Sequence, residues 1–133
     1  MFAQMTNGLD FHAKALVLRA ERQRVIASNI ANADTPGYAA RDLDFKEAMS
    51  EASGSPQLSG SGTTNSRHIP LTGATGGAPR LAYVAQTQPS MDGNSVDLDR
   101  ERANFVDNSV RYESTLRFIN SQSKTLLSAI TGQ

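Results

Sequence analysis

Cysteine is absent from all 133 residues, which excludes disulfide scaffolds, thiol catalysis and cysteine-based metal sites. Tryptophan is absent too, and aromatic residues make up only 6% of a chain that is 38% hydrophobic. That is lean for a compact core at this length. Net charge of one sign is also missing. Thirteen basic residues balance thirteen acidic ones, so no overall field points to nucleic acid or to direct contact with an anionic lipid surface. No apolar run approaches the length of a membrane span. Met1 to Leu18 lacks the basic start, unbroken apolar stretch and small-residue cleavage site of a secretory signal, so passage out of the cytoplasm would need another route.

Chemistry-bearing arrangements are equally scarce. His12 and His68 are the two histidines, one on a predicted helix and one in a Gly/Ser-rich stretch, and each reads as a packing or surface residue. Serine is abundant, yet no Gly-x-Ser-x-Gly elbow occurs. Gly60-Ser61-Gly62 and Gly73-Ala74-Thr75-Gly76-Gly77 lack the Lys-Ser/Thr of a phosphate loop. Asp97, Asp99 and Glu101 lack the Gly and closing Glu of a calcium loop, and capping of a helix explains them better. No enzyme activity, cofactor or metal is expected.

What is present is helical patterning at both ends. After a frayed Met1 to Gly8, the positions Leu9, Ala13, Leu16, Ala20, Gln23, Ala27 and Ile30 step by four and three, and six of the seven are apolar. Phe11, Ala15, Leu18 and Val25 form a second stripe, so this helix needs neighbours on more than one side. From Leu9 to Asn32 it would run about 36 Å. Lys14, Arg19, Arg22 and Arg24 read as a solvated basic face. At the other end, Asp97 caps a helix over Leu98 to Thr131, about 51 Å long. Its seam is Phe105, Ser109, Tyr112, Leu116, Ile119, Ser123, Leu126 and Ile130, and Gly132 ends it.

Between the helices lies lean material. Gly, Ser, Thr and Pro fill nineteen of the thirty positions 50–79, too little apolar surface to order itself. Leu81 to Thr87 is β-permissive, and Asp92-Gly93 marks a tight turn. Tyr38 to Met49 alternates weakly before turning helical, with Leu43, Phe45 and Met49 as its packing candidates.

The chain is organised around Ser28 to Tyr38. Pro36 ends the helix, and Gly37 suits the second central position of a type II turn, where φ is positive. Asn29 and Asn32 share a face at the helix end, placed to bond orphan carbonyls or the turn backbone. Tyr38 anchors the emerging strand.

Asn29-x-Ala31-Asn32-x-x-Thr35-Pro36-Gly37-Tyr38 resembles the N-terminal signature of the bacterial flagellar axial proteins, the rod and hook family. Ala40-Arg41-Asp42-Leu43-Asp44-Phe45 and the block Asp92 to Glu101 look like its small proximal-rod members in particular. The likeness covers Leu9 to Phe45 and Ser90 to Ile130 well, and 50–79 poorly. It implies a structural subunit whose terminal helices build the inner tube of the rod, with the middle outside. It further implies partners: other copies of the chain, other rod proteins, the adapter to the membrane-embedded (MS) ring, the ring itself and the flagellar type III export apparatus. Termini largely unfolded before assembly are also implied.

The expected fold is therefore mainly α: long N- and C-terminal helices packing as a coiled coil completed in the assembly, around a small irregular or β middle. Four segments are expected: 1–49 with helix and corner, 50–79 as a flexible insertion, 80–96 with a strand and turn, and 97–133 as the second helix. Leu9, Leu16, Ile30, Phe105, Tyr112, Leu116, Ile119, Leu126 and Ile130 are the expected packing residues. Leftover faces at Phe11, Leu18, Val25, Val110 and Leu127 would then need other subunits. A coiled-coil adaptor or export chaperone is the alternative.

Overall fold

The computed structural model describes residues 2–54, 81–84 and 90–132. The order of elements is α1 (Phe2–Ala31), β1 (Arg41–Leu43), α2 (Phe45–Ala52), β2 (Leu81–Tyr83) and α3 (Leu98–Thr131). The protein is mainly helical, as expected, with two long terminal helices and a small strand-containing middle. Residues 55–80, most of the Gly/Ser-rich stretch, and 85–89, the end of the expected strand, lie outside the described residues.

The helix start departs from expectation. α1 begins at Phe2 and runs straight through Asn7-Gly8. A glycine inside a helix costs about 1 kcal/mol relative to alanine, and α3 passes close to it here. A Cβ built on Gly8 would lie 3.2 Å from the nitrogen at the flexible end of the Gln122 side chain, which would have to give by a few tenths of an ångström.

α1 and α3 are antiparallel neighbours. Gly8 lies by Gln122, His12 stacks on Phe118 at 6.0 Å, and Asn108 bonds Arg19 and Gln23. At the far end Asn29 bonds Glu101. Numbers rise along one helix as they fall along the other.

A compact core sits against the middle of α1. Ala15 and Leu18 pack with Leu43, Ala48 and Met49, and Phe45 and Ala52 close the edge. Asp44 caps α2 by accepting from the Glu47 amide at 3.0 Å. The Arg19 guanidinium covers the Phe45 ring at 4.5 Å, a cation–π contact. Leu18 and Val25, expected to await other subunits, are buried within the chain because α2, β1 and α3 cover that side. The basic face divides as well. Lys14 and Arg24 form exposed helix-surface pairs with Asp10 and Glu21, whereas Arg22 turns inward to Asp42.

β1 and β2 pair antiparallel, Arg41 opposite Tyr83 and Leu43 opposite Leu81. So small a sheet is marginal alone. Here Ala40 and Leu43 are buried beneath it and anchor it to the core.

Candidate functional site

The corner after α1 carries the sequence motif. Tyr38 N–H donates to Thr35 O at 3.3 Å, with Pro36 and Gly37 between them and Gly37 at φ +71°. This is the type II turn expected from Pro-Gly. Thr35 donates to Asn32 Oδ1 at 3.2 Å, and Asn32 donates back to Ser28 O at 2.8 Å. Ala31 and Pro36 are exposed, and Ile30 is partly exposed.

Asn29 is the centre. It is 1% exposed, and both ends of its amide are satisfied. Its nitrogen donates to Arg41 O at 2.6 Å and to a Glu101 carboxylate oxygen at 3.1 Å. Its oxygen accepts from Arg41 N–H and from the Tyr38 hydroxyl, each at 3.2 Å. The reason lies in the sheet. Val84 N–H donates to Ala40 O, so the alternation of an antiparallel pair turns the Arg41 N–H and C=O away from β2. The Asn29 amide meets both groups and takes the place of a missing strand. One side chain thereby joins α1, the turn, β1 and α3.

The second block locks onto the first. Asn94, 5% exposed, donates through its amide nitrogen to Asn32 O (2.9 Å), Ala33 O (2.7 Å) and Thr35 O (2.9 Å). These include the carbonyls that the end of α1 leaves open. Gly37 N–H donates to Asp92 O at 2.9 Å, Ser95 N–H to Tyr38 O at 3.0 Å, and Ala40 N–H to Ser95 Oγ at 2.7 Å. Gly93, at φ +73°, lies against Gly37, a Cβ there falling 3.7 Å from the Gly37 Cα. Asp97 then caps α3 by accepting from the Arg100 amide at 3.2 Å.

Charges bind the same joint. Arg22 grips Asp42 with two bonds of 3.0 and 2.8 Å, and this hydrogen bonding raises the Arg22 pKa. Glu101 is 4% exposed. Burial pushes its carboxyl above the ordinary value, opposed by the Asn29 hydrogen bond; Asp42 adds to the rise, while Arg100 and Arg22 oppose it.

The expected packing residues divide by exposure. Leu9, Leu16, Tyr112, Ile119 and Leu126 are half-buried beside the helix contact, and Phe105 and Leu116 stand at its edge. Ile130 is 70% exposed. The middle of the contact on α3 is instead Glu101, Asn108 and Thr115, all buried and all polar. Hydrophobic periodicity does not find such a stripe, but a seven-residue polar period does. Asn94 was visible only as a member of its block, since its partners lie about sixty residues away.

A capped corner, clamped from both halves of the chain, joins two long helices with apolar side chains exposed along both, the build of a structural protein with joints and faces as its working parts. The family model for flagella basal body rod protein matches residues 9–38, the stretch from α1 through Tyr38. The chain is 43% identical over 139 residues to flagellar basal body rod protein FlgB of Salmonella typhimurium (strain LT2), covering 99% of each. It is 42% identical over 134 residues to FlgB of Yersinia enterocolitica, covering 98% of each. Against FlgB of Escherichia coli (strain K12) the identity is 42%, covering 98% of this chain and 97% of the relative. The chain belongs to the FlgB family of flagellar basal body rod proteins.

Proposed function

We propose that this chain is a structural subunit of the proximal rod of the flagellar basal body, working without catalysis or a cofactor. Its α1–α3 pair forms part of the tube wall beside other copies of the chain and other rod proteins. The assembled tube is the shaft that links the membrane ring to the distal rod and hook, and at its base it meets the rod adapter and the ring. The subunit reaches the periplasm through the flagellar type III export apparatus.

The observation that carries this reading is the near full-length identity to FlgB proteins. The distribution of apolar surface supports it. Val106, Val110, Phe118, Leu127 and Ile130 lie exposed along α3, and Phe11 and Val17 along α1. Faces like these, repeated by a rotation that does not close, generate a helical filament. An adaptor or chaperone does not account for the family membership. The segments 1–49, 50–79, 80–96 and 97–133 serve in this reading as corner helix, outer insertion, return strand and closing helix.

Deletion of the gene should abolish motility and leave basal bodies without a rod, and the gene returned in trans should restore both. The restored chain should then be found in detergent-purified basal bodies. Normal rods in the deletion strain would overturn the proposal.

A further inference from the structure

Most apolar residues of α3 lie outside its contact with α1, while the centre of that contact is polar. Glu101, Asn108 and Thr115 are buried at seven-residue spacing, and half-buried Gln122 continues the line. Thr115 satisfies its hydroxyl on its own helix, at Arg111 O. The other two reach across. Glu101 accepts from Asn29 at 3.1 Å. Asn108, fully buried, donates to Arg19 O at 2.9 Å and to Gln23 Oε1 at 2.5 Å, and the Gln23 nitrogen donates onward to Ser109 Oγ at 2.8 Å. The Asn108 oxygen has no hydrogen-bond partner among the described residues. An apolar side chain would leave no such orphan, so stability alone does not explain an asparagine here.

We infer that these two buried polar rungs, Asn29 with Glu101 and Gln23 with Asn108, act with the Asn94 clamp at the corner to fix the register of α1 against α3 and so decide which apolar residues the pair presents outward. The seam residues discriminate little, although fully buried Ile26, with Arg19 and Ala33 seven positions to either side, resists a slide. Phe105, Tyr112, Ile119 and Leu126 repeat every seven positions on α3, and Leu9, Leu16 and Ile30 fall on the matching spacing of α1. A slide by one heptad exchanges one of these apolar residues for another, except where Gln23 interrupts the α1 series. The rungs are not exchangeable. A slide one way carries Glu101 past the end of α1 and sets Asn108 under Asn29. A slide the other way sets Asn108 against Ala15 and strips Asn29 of its carboxylate. Asn29 is unable to follow, because the same amide is tied to Arg41. A polar residue at a core position of a helix pair specifies register in this manner, at some expense in stability. One heptad of slip displaces the outward residues of α3 by about 10 Å, enough to misalign them with any neighbouring subunit. This inference concerns pairing within one chain and does not depend on where the rod places it.

The chain has no native cysteine, so introduced pairs report register without background. Gly8→Cys with Gln122→Cys reads the observed register; Gly8→Cys with Thr115→Cys and Gly8→Cys with Ala129→Cys read the two heptad slips. All three close loops of similar length, so loop entropy does not favour one. The reporters sit roughly 30 Å from the Asn29–Glu101 rung, beyond the reach of local damage there. Dilute full-length chain is oxidised, which traps even transient pairings, and intrachain disulfides are scored by gel mobility. With native rungs the Gly8/Gln122 yield should exceed either slipped pair by about tenfold or more. In a Glu101→Leu, Asn108→Leu chain that also carries Asn94→Ala the three yields should converge to within about twofold, with helicity by circular dichroism retained, whereas Asn94→Ala alone should keep the native preference. Glu101→Gln, which still accepts from Asn29, should keep the native preference. The inference is overturned by equal yields with native rungs, by an unchanged preference in the triple-variant chain, or by convergence accompanied by lost helicity. The last outcome would mean that the rungs hold the helices together and do not align them.

Discussion

Asn29→Leu removes one side chain from the point where four segments meet, with little change in volume. Three groups lose their partners, the part-buried Arg41 N–H and C=O and the buried Glu101 carboxylate, while the Tyr38 hydroxyl keeps Ser28 Oγ at 3.4 Å. Each such group costs about 1–3 kcal/mol when left unsatisfied. Water admitted beside exposed Arg41 recovers part of this, which leaves a net loss of about 3 kcal/mol. At 1.4 kcal/mol per decade, the ordered corner becomes ~150-fold less populated relative to open forms. Asn32→Leu is the internal control. Asn32 is half-exposed and bonds Ser28 O, a carbonyl that the backbone N–H of Asn32 already engages. Its loss should cost under about 1 kcal/mol. The assay is fractionation of each variant between purified basal bodies and the secreted pool, with total subunit level as reference. Asn29→Leu should be secreted but incorporated at least tenfold less than wild type, and Asn32→Leu should incorporate nearly normally. Equal incorporation of the two variants would refute the reasoning, because burial and partner count would then not decide what the corner needs.

Three further outcomes are expected. Gly37→Val should block incorporation while Gly37→Asn is mild: a Cβ at this position meets no atom within 4 Å, so the penalty is purely that of positive φ, which asparagine tolerates; like behaviour of the two in the same fractionation would mean side-chain contacts matter instead. The buried Glu101 carboxyl favours its protonated form in the folded chain, so its contribution is complete below the ordinary value of 4.5 and fades as pH rises through the higher folded value. Urea midpoints of the full chain should therefore rise from pH 7 to pH 5 more in wild type than in Glu101→Gln, and parallel slopes would contradict this. Phe118→Asp or Leu127→Asp should leave secretion intact and abolish rod assembly, since each places a charge on an exposed apolar position that a neighbour would bury; normal swimming on soft agar would show that these faces stay in water.

Local chemistry made the corner legible in the sequence. Pro36-Gly37 fixes its turn, Asp97 starts α3 and Gly132 ends it, because each acts on backbone within a few residues. The long helices were legible from their three-and-four spacing. Their contact was not, because the face of α3 that meets α1 is polar and the apolar positions lie to its sides. The partners of Asn29 escaped for another reason. Arg41 and Glu101 are 12 and 72 residues away, and only the pairing of β1 with β2 shows which Arg41 groups need a partner. The start of α1 is not legible because Asn7-Gly8 reads locally as a breaker, whereas the helix runs through it with α3 packed alongside.

An electron cryo-microscopy map of basal bodies whose only copy of this subunit is the present chain tests the central claim most directly. Antiparallel α1–α3 pairs are expected in the rod wall, with Asn29 seated between Arg41 and Glu101 and with Val106, Phe118, Leu127 and Ile130 buried against neighbouring subunits. A rod without the chain, or one in which those four side chains face water, would contradict it.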